Sequence, residues 1–129
     1  MRQLEGMSLA VGLALLQVVR DYGVSSAGLK WPNDVLVGER KLAGILLELS
    51  GDPADVCHVV IGIGLNVNML AADSGAIDQP WTSMRTQLGH QLDRNELVRA
   101  LNRQLSHYLE IQLSHGFSVL RDEWQRNHL

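Results

Sequence analysis

Two short stretches hold the densest gathering of chemically useful side chains: Lys30-Trp31-Pro32-Asn33-Asp34 and Arg40-Lys41-Leu42-Ala43-Gly44. Two lysines, an amide and a carboxylate around one turn supply the means to hold phosphate, carboxylate and a metal ion together. Pro32 fixes its own φ and pushes Trp31 toward an extended conformation. Asn33 and Asp34 then fall where a strand ends and the chain turns, and Lys41 opens the next strand. A strand period of two predicts Lys41, Ala43 and Ile45 on one face. The ammonium would then lie along an apolar surface, which favours a bound anion. Gly44 lets a ligand or another backbone come close. A solvated turn between two edge strands is the other reading of the same spacing.

These residues must be positioned by a small set of elements. Ser8 to Tyr22 reads as a helix, with Ser8 as N-cap and Gly23 as the residue that ends it. It is apolar almost all round (Leu9, Val11, Leu13, Leu15, Leu16, Val18, Val19), so burial is expected. Three strand candidates follow: Gly28 to Trp31, then Val35 to Val37 and Leu42 to Leu49. The last two flank the hairpin turn Gly38-Glu39-Arg40-Lys41. Cys57 to Leu65 is rich in β-branched residues and reads as a central strand, after a break at Gly51-Asp52-Pro53. Asn66 to Pro80 reads as a loop with breakers at Asp73-Ser74-Gly75 and Gln79-Pro80. Thr82 to Leu88 is a short helix closed by Gly89. Asp93-Arg94-Asn95-Glu96 resembles a capping box. The helix it opens carries Leu97, Val98, Leu101, Leu105, Tyr108, Leu109 and Leu113 at helical spacing, predicting one apolar face up to Gly116. Phe117 to about Asn127 carries Val119, Leu120 and Trp124 at helical spacing. The order helix, strands, helices predicts an α+β layer structure with a mostly antiparallel sheet covered on one face.

Composition narrows the classes. The chain has 129 residues, 46% hydrophobic and 19% charged, with net charge −3, which suits one domain with a real core. The mild acidity argues against a dedicated nucleic-acid or membrane-surface binder. No uninterrupted apolar run of ~18 residues predicts a membrane span. Ser8 to Val19 reads as a core helix rather than a signal peptide, since Glu5 lies where a signal would be basic. The single cysteine, Cys57, fits a reducing, cytoplasmic setting and reads as a small apolar strand residue. The histidines form no H-x-x-x-H pair, which argues against metal ligation by them. Gly62-x-Gly64 is not a dinucleotide fingerprint, because it lies within a strand and Val67 follows. Tight packing or close ligand approach explains those glycines better. Trp31 is core or an aromatic wall, and Trp81 and Trp124 read as core.

The segment Lys30-Trp31-Pro32-Asn33-Asp34 with Arg40-Lys41-Leu42-Ala43-Gly44-Ile45-Leu46-Leu47-Glu48 resembles the central signature of biotin protein ligases. Ile61-Gly62-Ile63-Gly64-Leu65-Asn66-Val67-Asn68 is similar to the family's later G-x-G-x-N segment. The preceding helix and the region from Trp81 to Leu129 also follow the family's order. The resemblance implies a class II aminoacyl-tRNA synthetase-like catalytic core. It implies formation of biotinyl-5′-AMP from biotin and ATP, with Mg²⁺, then transfer of biotin to a lysine of a biotin carboxyl carrier protein domain. Two anions must meet in the first step, which calls for cationic groups to offset their repulsion. By resemblance, Lys41 lies beside the biotin carboxylate and the α-phosphate, with Gly44 also at the biotin. Lys30 and Asn33 lie on the nucleotide side, and Asn66 near the ATP phosphates or metal. Asp34 is expected to aid the carrier lysine, with metal binding or hairpin capping as equal alternatives. The scheme requires the amines of Lys30 and Lys41 on one surface beside a cleft.

The resemblance also implies absences. Met1 to Met7 holds nothing like the family's glycine- and arginine-rich loop, and neither the small C-terminal β-barrel nor a winged helix is represented. Residues 1–129 are therefore expected to be part of a catalytic domain, incomplete at both ends, with no nucleic-acid or membrane partner. Homodimerisation through an edge strand such as Leu42 to Leu49 is allowed. Two rival readings stay open: a lipoate or octanoate ligase on the same fold, and a non-catalytic module for dimerisation or carrier-domain binding.

Overall fold

The computed structural model describes residues 2–52, 54–55, 57–70 and 80–129. A long helix, α1 (Arg2–Asp21), precedes four strands: β1 (Ala27–Lys30), β2 (Asp34–Val37), β3 (Arg40–Gly51) and β4 (Cys57–Leu65). Three helices follow, α2 (Met84–Leu88), α3 (Arg94–His115) and α4 (Arg121–Asn127), with a 3₁₀ turn at Phe117–Val119 between the last two. The strands form one antiparallel meander in the order β1-β2-β3-β4. This is the α+β arrangement expected from the order of patterns.

Helix α1 is the centre of the core. Ala10, Val11, Leu13, Ala14, Leu15, Leu16, Val18 and Val19 are all buried on it, because sheet and helix meet it from different sides. Its sheet-facing partners include Leu29, Val35, Leu42, Ala43 and Ile45. Ser8 is not the N-cap: the helix begins at Arg2, and Ser8 lies buried inside it. Its hydroxyl donates to Asn33 Oδ1 at 2.6 Å instead. The seven residues before Leu9 extend the helix because they contain no proline and their one glycine, Gly6, is tolerated there. Gly23 closes α1 as expected, at φ +115°, a conformation in which L side chains are strained.

The sheet departs from expectation at its edges. β4 is an outer strand, not a central one, and β3 is flanked on both sides only where β2 reaches it, up to Gly44. Up to Gly44 that backbone pairs with both β2 and β4, and Ile45 N–H still bonds Asn33 O. From Leu46 to Leu49 the described partners lie on the β4 side alone, so the expected pairing of two copies is blocked only over the first part of Leu42 to Leu49. The β-branched run in β4 reflects one covered face. Val59, Ile61, Ile63 and Leu65 are partly buried, whereas His58, Val60, Gly62 and Gly64 are exposed. A period of two is legible in a sequence; the number of neighbouring strands is not.

The last third keeps its expected helix ends, except that α2 starts at Met84 rather than Thr82, with Ser83 as its N-cap. Ser83 Oγ accepts from Thr86 N, and Gly89 ends α2 in the left-handed region. Asp93 accepts from the N–H groups of Asn95 and Glu96 at the start of α3, and Gly116 ends it. The α3 face is narrower than predicted. Leu97 and Tyr108 are buried, but Val98 and Leu113 are 54% and 74% exposed. Val119 is also exposed, while Leu120 and Trp124 are buried. The backbone returns to the sheet at its end: Leu129 N–H donates to Leu29 O at 2.7 Å, alongside β1. Among the described residues, no helix is long and apolar enough to cross a membrane. Asp73-Ser74-Gly75 and Gln79 lie outside the described residues.

Candidate active-site groove

The site is built around an irregularity in β3. Val35 pairs with Ala43, but the next β2 residue, Leu36, pairs with Lys41. Leu42 is the extra residue, and it and Ala43 are both buried in the core. A bulge of this kind shifts the alternation by one residue. Lys41 therefore does not share a face with Ala43 and Ile45, as a regular strand would require. It lies with Gly44 on the uncovered face: a β-carbon added to Gly44 would stand 3.0 Å from Lys41 Nζ.

That face carries a row across all four strands. Lys30 pairs with Asp34, Asp34 with Gly44, and Gly44 with Gly64. Directly paired residues of an antiparallel ladder point to the same side. Lys30 and Lys41 thus share one surface of the sheet. Lys41 Nζ lies 3.3 Å from Asp34 Oδ1, with both side chains about one-third exposed. Such a pair contributes only about 0–1 kcal/mol to stability. Its main effect is to place an ammonium beside the row of glycines.

A groove of about 520 Å³ opens here, lined by Asn33, Asp34, Lys41, Gly44, Leu46 and Gly62 to Gly64, with Ile45 beside them. A β-carbon at Gly64 would meet nothing within 4 Å, so that glycine keeps the floor low without being needed for packing. Leu46 (59% exposed) and Val60 (56%) also lie on this uncovered side, and Trp31 is exposed near it in sequence. The surface thus combines an apolar wall with one ion pair and one amide.

The sequence-expected residues divide into three groups. Lys41, Asp34, Gly44 and Asn33 meet at the groove. Lys30 is exposed on the same face, one strand further out, and is not among the lining residues. Asn66 is not among them either. Its Nδ2 donates to Thr82 O at 3.1 Å and Lys41 O at 3.5 Å, and its backbone N–H to Leu42 O at 3.0 Å. It ties together the strand end that carries Lys41. Lys41 N–H donates to Pro80 O at 3.0 Å, and Lys41 O accepts from Thr82 N–H at 2.9 Å. The residue is pinned on both backbone groups. Trp81, expected in the core, is half-buried and forms a parallel bridge with Lys41. Ser8, Pro80 and Thr82 carry no sequence signal for this role, because each acts through a contact with a distant segment. Gly62 and Gly64 carried one, as glycines inside an otherwise β-branched strand.

Residues 1–66 match the family model described as the Biotin/lipoate A/B protein ligase family. The chain belongs to that family. It is 36% identical over 121 residues to the bifunctional ligase/repressor BirA of Escherichia coli strain K12, a match covering 94% of this chain and 37% of the relative. It is 37% identical over 99 residues to the biotin–[acetyl-CoA-carboxylase] ligase of Paracoccus denitrificans, covering 74% and 41%. Its fold superimposes on the biotin protein ligase of Aquifex aeolicus in complex with biotin and ATP with a TM-score of 0.86 at 27% identity. That match covers 100% of this chain and 53% of the other. The family member described here thus spans about two fifths of the curated relatives' length and shares the catalytic α+β fold of biotin protein ligases.

Proposed function

We propose that the groove binds biotin with its carboxylate beside Lys41, so that the chain carries the carboxylate-activating part of a biotin–[biotin carboxyl carrier protein] ligase. The observation that carries this is the Lys41–Asp34 pair, set by the bulge beside a glycine floor in a chain with ligase relatives. In the first step a biotin carboxylate oxygen attacks the α-phosphorus of ATP. The bond to the β-phosphate oxygen breaks and pyrophosphate leaves. Lys41 offsets the repulsion between the two anions and the charge that develops in the transition state. Lys30 and Asn33, flanking the same face, suit the nucleotide side. In the second step the carrier lysine attacks the acyl carbon, AMP leaves and the amine loses a proton. Among the described residues Asp34 is the one carboxylate lining the groove and suits that proton. Asn66 acts on this reading by holding Lys41 rather than by touching phosphate.

Mg²⁺ fits the groove only as the counter-ion of the triphosphate. Among the described residues no group of three His, Cys, Asp or Glu side chains gathers to hold a cation, and Asp34 is already engaged with Lys41. The phosphates would supply most of its oxygen ligands.

Biotin-dependent exchange of labelled pyrophosphate into ATP, with a carrier domain added in a second arm, tests the reading. Exchange with biotin but not with lipoate or octanoate supports it. Exchange only with lipoate or octanoate would assign the groove to the other branch of the family. Carrier binding without any exchange would make the chain a docking module. Among the described residues, self-association by strand pairing has two edges to use, β4 and the part of β3 beyond Ile45; a sedimentation coefficient independent of concentration would remove it.

A further inference from the structure

Asn33 is held from two directions. Its backbone carbonyl accepts from Ile45 N–H at 2.9 Å, fixing it against β3 next to Gly44. Its side-chain oxygen accepts from Ser8 Oγ at 2.6 Å, across a sequence separation of 25. A serine inside a helix ordinarily turns its hydroxyl back to a carbonyl of its own preceding turn or out to solvent. Ser8 does neither: it is buried and reaches off the helix to the residue that lines the groove. Among the described residues no group accepts from Asn33 Nδ2.

From this geometry we infer that Ser8 is a positioning residue for the nucleotide side of the groove. By occupying Oδ1, it leaves the amide's two N–H donors for an anionic oxygen of the ligand. Turned the other way, the amide would offer its oxygen to that anion, beside the Asp34 carboxylate, and would repel it. The bond also couples the first turns of α1 to the site, because the same helix carries the core residues that seat it on the sheet. The assignment rests on the ligase reading for the identity of the ligand. It does not rest on it for the link between Ser8 and Asn33.

The test uses the full chain labelled with ¹⁵N. The Asn33 side-chain amide resonance is identified by its loss in Asn33→Asp. In the ligand-free protein this pair of resonances is expected away from random-coil positions and to collapse onto them in Ser8→Ala. With Mg²⁺ and ATP added, Ser8→Ala is expected to raise the Kd for ATP roughly tenfold, equivalent to ~1.4 kcal/mol, with the Kd for biotin unchanged. Asn33→Asp keeps an acceptor for Ser8 but lacks the donors. It is expected to melt near the wild-type temperature and still bind ATP weakly. Ser8→Ala combined with Asn33→Ala is expected to bind ATP no more weakly than Asn33→Ala alone, since one residue acts through the other. Unchanged amide resonances in ligand-free Ser8→Ala overturn the inference, as do two substitutions whose effects on ATP binding add. If the wild-type chain binds neither ATP nor biotin, the ligase reading fails, and the ligand-free spectra still decide the Ser8–Asn33 link.

Discussion

Lys41 owes its place to one inserted residue. Without Leu42 as the bulge, alternation would send the ammonium toward α1, where a lone charge would be desolvated. With it, the amine stands beside Asp34 in a partly open groove. In the pyrophosphate-exchange assay, Lys41→Ala is expected to lower the rate by about 10²–10³, the usual effect of removing one preorganised donor to a developing charge. Exchange close to wild type would deny Lys41 its role. Gly44→Ala isolates position from charge. The added methyl would lie 3.0 Å from Nζ and 3.1 Å from Cε of Lys41, and this flexible tip yields without disturbing the backbone. Folding stability is expected to change by less than about 1 kcal/mol, while KM for biotin rises about tenfold. A stability loss with KM unchanged would make Gly44 a packing residue only. The residue types were legible in the sequence; which side of the sheet they share was not, because the bulge has no glycine or proline to mark it.

At the level of elements, helix ends were well marked and helix faces less so. Caps are local chemistry, so Asp93, Gly89 and Gly116 could be read from their neighbours, whereas Ser83, read as part of the short helix, is its N-cap. Faces depend on what lies opposite. Val98 and Leu113 fit the apolar spacing of α3, yet remain exposed because they turn away from α1, while their neighbours Leu97 and Gln112 take the buried positions at the same levels. A partly buried polar link joins α3 to α4: the Tyr108 hydroxyl donates to Glu123 Oε1 at 2.9 Å. Burial, and then the bond to Glu123, hold the Tyr108 phenol well above its ordinary range. Below about pH 10 the phenol is protonated in both folded and unfolded chains, so it adds no pH dependence. Above that, the unfolded phenol ionises first and stability falls with rising pH. Tyr108→Phe is expected to lose roughly 0.5–1.5 kcal/mol at neutral pH and to show a shallower decline above pH ~10. Urea midpoints of both proteins across that range check it; equal slopes would show that the phenol is not shielded.

For the whole molecule, α1 is the common support. It seats the sheet, packs on α3 and reaches the groove through Ser8. Leu15 is fully buried on it. Leu15→Ala is expected to cost about 2–5 kcal/mol, a large part of the 5–15 kcal/mol that holds a typical domain. Chemical denaturation reads it as a lower midpoint with little change in slope. A loss below about 1 kcal/mol would mean that the core closes around the gap. The order β1-β2-β3-β4 also decides where another strand would add. With Leu129 alongside β1, the open edges among the described residues are β4 on the other side and the part of β3 that runs past β2, beyond Ile45.

The residues alone determined the α+β class, the buried first helix, the hairpin, the capped helices and the signature Lys30–Asp34 with Lys41 and Gly44. All of these rest on local periodicity, local caps or side-chain type, which do not need the rest of the chain. Only the tertiary structure decided that β4 is outermost, that Lys41 faces away from Ile45, that Asn66 binds backbone and that Ser8 holds Asn33. Each depends on pairing between distant segments, and strand neighbours and bulges are set by how the whole sheet closes over α1.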